Sequence, residues 1–189
     1  MSKPVVGVMG ASENDALTDT EKVRLKELAE KLGGAIAKRD CMLITGATTG
    51  LPELISRSAR GHGGFALGVS PAENRRDHIE RYKMPDDAAD MIIYTGFGLK
   101  GRNVINVRSA DVVIIFGGAI GTLNEFTIAY DEGKIIGVLE GSGGVADHIR
   151  EIIAFSKKPT RGTVLFDSDP ERLIENCLKS LETSHHLQS

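Results

Sequence analysis

Arg102 and Glu125 are the side chains of this 189-residue sequence best suited to act on a bond, and the glycine-rich stretch just before Glu125 suits an anion. That stretch, Gly117-Gly118-Ala119-Ile120-Gly121-Thr122, follows an apolar run and leads into a helical pattern. Glycines let backbone approach an anion closely, and a helix starting there offers unpaired N–H groups and the positive end of its dipole. Thr122 adds a hydroxyl. Two similar loops, Gly10-Ala11-Ser12 and Gly46-Ala47-Thr48-Thr49-Gly50, follow other apolar runs. Any one of them could be no more than a tight strand-to-helix turn. Three at the carboxyl edge of one sheet, where open parallel sheets bind ligands, point to a shared pocket for a small phosphorylated ligand.

Arg102, in Gly101-Arg102-Asn103, is expected at the start of a helix beside that pocket. A guanidinium there can bind phosphate bidentately or stabilise a leaving group, although its position alone equally fits a solvated helix-start charge. Glu125 stands three residues after Thr122, the spacing of a capping box, so a structural cap would explain it. Its chemical alternative is a carboxylate facing bound ribose, stabilising oxocarbenium character at C1′ or orienting a water. Other nucleotide sites are excluded by what is missing. No G-x-G-x-x-G follows a strand, and the second strand ends in Thr45-Gly46 where a dinucleotide site wants an acid, which argues against conventional NAD binding. No loop carries the lysine of G-x-x-x-x-G-K-[ST], which argues against ATP hydrolysis of the P-loop kind.

These residues need a scaffold, and the hydrophobic pattern supplies one. Short β-branched runs at Val5 to Met9, Met42 to Thr45, Phe65 to Val69, Met91 to Tyr94, Val112 to Phe116, Ile135 to Leu139 and Val164 to Phe166 alternate with helical patterns. That alternation predicts βαβ units and an α/β fold with a parallel sheet of about seven strands, helices covering both faces. Thr18 and Glu21 have capping-box spacing ahead of a helix to about Lys38, and Asp169-Pro170 starts the closing helix. Residues 71–90 are polar and aperiodic, which predicts a long loop and a candidate pocket lid.

Length and composition fit one domain, expected over residues 1–183, with a polar tail at 184–189. The chain is 41% hydrophobic and 26% charged, with a formal charge of −3 and no basic stripe, so long nucleic acid is not an expected partner. No segment reads as a membrane span or a secretory leader, and a cytoplasmic location is expected. Cys41 and Cys177 have apolar neighbours and read as core thiols, while His62 and His78 flank loops without partners at ligand spacing. No metal site is expected.

The longest motif carries a family likeness. GGAIGTLNE, Gly117 to Glu125, resembles the PGGxGTxxE signature of the LOG (LONELY GUY), or "lysine decarboxylase-like", family; TGATTGL, Thr45 to Leu51, resembles its GGGxxGLM loop, and VGVMGAS its first strand and turn. The resemblance implies a modified Rossmann fold, a homo-oligomer (dimer or tetramer), and in one branch hydrolysis of cytokinin nucleoside 5′-monophosphates to base and ribose 5-phosphate. It places the catalytic arginine and glutamate on Arg102 and Glu125. With the three loops read above, the candidate ligand-binding set is Gly10, Ala11, Ser12, Gly46, Gly50, Asn103 and Gly117 to Thr122. Phe116 departs from the signature proline. The stretch Thr95 to Gly118, with Asn103 after Arg102, is similar instead to the molybdenum-cofactor carrier branch, which implies binding without turnover. The bound ligand is thus expected to be a nucleoside monophosphate or molybdenum cofactor, with no cofactor required for chemistry. A ligand sensor is a third reading. Decarboxylation finds no recognisable Schiff-base lysine.

Overall fold

A computed structural model describes residues 3–12 and 18–186. Seven strands form one sheet: β1 (Val5–Gly10), β2 (Met42–Thr45), β3 (Phe65–Ser70), β4 (Met91–Tyr94), β5 (Val112–Phe116), β6 (Ile135–Leu139) and β7 (Thr163–Asp167). Their order is β4-β3-β2-β1-β5-β6-β7, and every neighbouring pair is parallel. The described residues form seven helices, α1 (Asp19–Lys38), α2 (Leu51–Gly61), α3 (Arg75–Glu80), α4 (Gly98–Arg108), α5 (Ile120–Asp131), α6 (Ile149–Ser156) and α7 (Pro170–His186), and a 3-10 turn, Gly144–His148, precedes α6. The expected α/β Rossmann-like architecture is the observed one. Helix α7 runs through the first three residues of the segment expected as a tail.

The central strand explains how the layers hold together. Along β5, Val112, Ile114 and Phe116 enter a cluster with Leu32, Ile36 and Leu173 of α1 and α7, whereas Val113 and Ile115 enter one with Val107, Phe126 and Ile149 of α4, α5 and α6. Side chains alternate across a strand, so a run apolar at every position demands cover on both sides. Cys41 and Cys177 are buried in the first of these clusters, as expected. Burial pushes the Cys177 thiol up to about 12.

Strand order also creates the crevice. From β1 the chain proceeds outward to β4, then returns across the sheet through α4 to place β5 on the other side of β1. Loops leaving β1 and β5 therefore diverge, and the gap between them is the natural ligand cleft of an open parallel sheet.

The expected lid is a correction. Within 71–90, Asn74 caps α3 by accepting from the Asp77 N–H, and the segment is fastened to α2 and itself by Arg57–Asp87 and Arg75–Asp86 ion pairs. His78 is fully buried; its Nδ1 lies 2.8 Å from Ser70 Oγ and its Nε2 is 3.0 Å from the Pro85 carbonyl. One imidazole thereby ties the segment to the end of β3. The ties are polar, which is why hydrophobic periodicity does not reveal them.

Candidate functional site

A 370 Å³ cavity opens at the carboxyl edge of the sheet, between the ends of β1 and β2 and the first turns of α4 and α5. Gly10, Ala11 and Ser12 line one wall, Gly46 and Thr48 a second, and Arg102 and Asn103 of α4 face Ala119, Gly121, Thr122 and Glu125 across the remainder. Four segments far apart in sequence are therefore brought together.

Helix α5 begins earlier than capping-box spacing suggests. Its N-cap is Ala119, no side chain caps it, and no acidic residue occupies its first turn. The start is set by Gly117 and Gly118, whose φ values of 58° and 91° belong to left-handed backbone. Thr122 is consequently inside the helix. Glu125 does not cap it, which corrects the structural alternative for this residue. Instead the carboxyl points from the second turn into the cleft, 5% exposed.

There it meets Arg102. The guanidinium Nη1 donates to Glu125 Oε1 at 3.1 Å and to Asn103 Oδ1 at 2.9 Å, and Asn103 Nδ2 donates to Asn124 Oδ1 at 2.9 Å. Arg102 is itself 5% exposed and lies in the second turn of α4, so the solvated helix-start reading is also corrected. Its position depends on Gly46: a Cβ there would stand 2.7 Å from Cζ, Nη1 and Nη2 of the arginine. Gly46 is thus the floor on which the guanidinium rests.

Two charges this deep are costly to desolvate. Burial pushes the Glu125 carboxyl up to about 7, against the opposing pull of Arg102, Asn106 and Lys100. Burial likewise lowers the Arg102 pKa, opposed by Glu125. The network is also incomplete. Arg102 Nε is a buried donor without an acceptor and Asn106 Oδ1 a buried acceptor without a donor among the described residues. Unmet buried polar atoms are uncommon in a finished interior and fit a site that a ligand completes.

Not every expected ligand residue faces this cavity. Gly117 and Gly118 line a neighbouring 170 Å³ cavity with Arg24 and Gly141 to Gly144, which adjoins the first through Ala11 and Ala119. Gly50 is the N-cap of α2, and the Ile120 side chain is 72% exposed. Sequence reasoning missed Leu99, Lys100 and Pro52 on the wall, and Asn106 and Asn124 behind it. Asn106 was accessible through its i, i+4 relation to Arg102. Lys100 was as well, because it stands three residues before Asn103 on the same helix.

With this geometry in place, known proteins give the chain its relatives. An Archaeoglobus fulgidus protein of uncharacterised role is 34% identical over 135 residues, 71% of this chain and 79% of that one. A Mycobacterium marinum cytokinin riboside 5′-monophosphate phosphoribohydrolase is 32% identical over 112 residues, 59% of this chain and 57% of that one. Among solved structures, the molybdenum cofactor binding protein of Rippkaea orientalis is 33% identical with a TM-score of 0.73, covering 96% and 98% of the two chains. The molybdenum cofactor carrier protein of Chlamydomonas reinhardtii is 27% identical with a TM-score of 0.72, covering 95% and 99%. Residues 3–174 match the SLOG cluster4 family, so the chain belongs to this LOG-like family.

Proposed function

We propose that the protein binds a nucleoside 5′-monophosphate in the cleft and hydrolyses its N-glycosidic bond. The observation that carries this reading is the buried Arg102–Glu125 pair lying one turn deeper than the uncapped start of α5. Four residues separate Gly121 from Glu125, a rise of about 6 Å. That matches the span of a ribose from its 5′-phosphate to its anomeric carbon, so an anion at the helix start sets C1′ beside the carboxyl.

As the bond from C1′ to the base nitrogen breaks, positive charge grows on the ribose and is stabilised by the Glu125 carboxylate. Water adds to C1′, giving ribose 5-phosphate, and its proton balances the charge on the departing base. Arg102 holds the carboxylate in place and offers its Nε, which has no acceptor among the described residues, to ligand oxygen or nitrogen. The ionised form of Glu125 is the working one, so kcat/KM rises with pH through about 7.

The test is incubation with AMP and N6-substituted AMP, with free base and ribose 5-phosphate measured. A loss of roughly 100-fold or more in Glu125→Gln is expected. Base release at the same rate in that variant refutes the catalytic role.

A second reading has its own support. The solved relatives named for molybdenum cofactor match nearly the full length of the chain, and Arg102 is held by Asn103 as well as by Glu125. An arginine so braced suits retention of a phosphorylated pterin without turnover. Oxidised pterin fluorescence from protein loaded with the cofactor, combined with no base release from nucleotides, would establish that reading over the first.

A further inference from the structure

Lys100 lies in the first turn of α4, three residues before Asn103, and lines the cavity. Its Nζ is 3.9 Å from the point at which a Cβ on Gly121 would sit, so the ammonium stands over the first turn of α5. A cation is ordinarily disfavoured at a helix N-terminus, where the unpaired N–H groups already present positive charge. Nothing in that turn offsets it: α5 has neither a side-chain cap nor a first-turn acid. Arg102 adds a second cation to the same wall, with a buried Nε lacking an acceptor among the described residues. Positive groups from two helices therefore converge on one empty volume, an arrangement that an anion between them would make favourable.

We infer that Lys100 and the first turn of α5 clamp a phosphomonoester dianion between them, making Lys100 the ligand-binding cation of the cleft. This rests on the reading of the pocket as one for a phosphorylated ligand, and it holds for hydrolase and carrier alike. It also divides labour between the two basic residues. Lys100, exposed and on a flexible stem, captures the phosphate, while buried Arg102 stays with Glu125 deeper in the cleft. The glycine stretch contributes through Gly121 and Thr122, since Gly117 and Gly118 face the adjoining cavity.

The full chain is melted with inorganic phosphate, AMP and adenosine, each at ionic strength matched with chloride, for wild type, Lys100→Met and Lys100→Arg. Phosphate and AMP are expected to raise the wild-type and Lys100→Arg melting temperatures. In Lys100→Met, AMP affinity is expected to fall roughly ten- to hundred-fold, the scale of one charged hydrogen bond. The ligand-free melting temperature should be the same in Lys100→Arg and no lower in Lys100→Met, which removes the unfavourable cation from the helix start. An equal phosphate shift in Lys100→Met, or no shift in wild type, overturns the assignment. Lys100-dependent phosphate binding without any release of base from AMP upholds it while removing the hydrolase reading. Hydrolysis of AMP by Lys100→Met at the wild-type kcat/KM does the reverse.

Discussion

Glu125 couples reactivity to stability in opposite senses. Its ordinary pKa of 4.5 rises to about 7 in the fold, so between these values the native state binds more protons than the unfolded chain. Stability then falls as pH rises across that window and the loss is complete above about 7. The groups facing the carboxyl are Arg102 and Lys100, with the Asn106 amide. Exposed Asp87 and half-buried Asp167, each paired with an arginine, have lowered pKa values and act in the other direction at lower pH. The clean measurement is therefore the difference between wild type and Glu125→Gln in urea unfolding at pH 5, 6 and 7.5. Wild type should lose stability relative to the variant along that series, just as its proposed activity increases. At Gly46, alanine would press a Cβ into the Arg102 guanidinium, and its expected cost is about 1 to 3 kcal/mol with weakened AMP binding. Unfolding and calorimetric titration of Gly46→Ala check both.

At the scale of elements, helix starts separate what the sequence discloses from what it hides. Thr18 and Glu21 form the capping box their spacing predicts, with the Thr18 N–H donating to Glu21 Oε2 at 2.8 Å. Thr122 and Glu125 have the same spacing and do not. The difference lies in the preceding residues: left-handed Gly117 and Gly118 let α5 begin at Ile120, and Arg102 claims the carboxylate. Local spacing cannot register a partner 23 positions away. Two substitutions test the contrast. Thr18→Ala should cost about 1 kcal/mol and leave AMP affinity unchanged. Gly118→Ala puts a Cβ 2.2 Å from Thr122 Oγ1 on left-handed backbone, so about 1 to 3 kcal/mol of stability should go together with AMP affinity. Equal affinity in Gly118→Ala would show that the start of α5 does not form the anion seat.

For the molecule as a whole, the apolar runs were the reliable part of the sequence. Met42–Thr45, Met91–Tyr94, Val112–Phe116 and Ile135–Leu139 are strands with the predicted limits; for the central Val112–Phe116 and Ile135–Leu139 the uninterrupted apolar mark comes from cover on both sides, whereas edge strand β4 leaves Met91 and Ile93 exposed. Residues 71–90 were misread for the complementary reason: His78, Asn74 and the arginine pairs secure them with polar bonds that carry no periodicity. None of these residues lines the cavity. Hydrogen exchange should therefore slow on AMP addition at residues 46–50 and 117–125 and stay unchanged across 71–90; protection there would restore the lid. Among the described residues no helix is long and apolar enough to cross a membrane, which agrees with the absence of such a run in the sequence.

The two buried cysteines have a practical consequence. Cys41 and Cys177 are nearly inaccessible, burial keeps both thiols protonated, and the chain contains no tryptophan. The native protein is thus almost silent to thiol-directed dyes and to indole emission. A single cysteine or tryptophan placed at Leu99, on the rim of the cleft, would report from the site against a dark background.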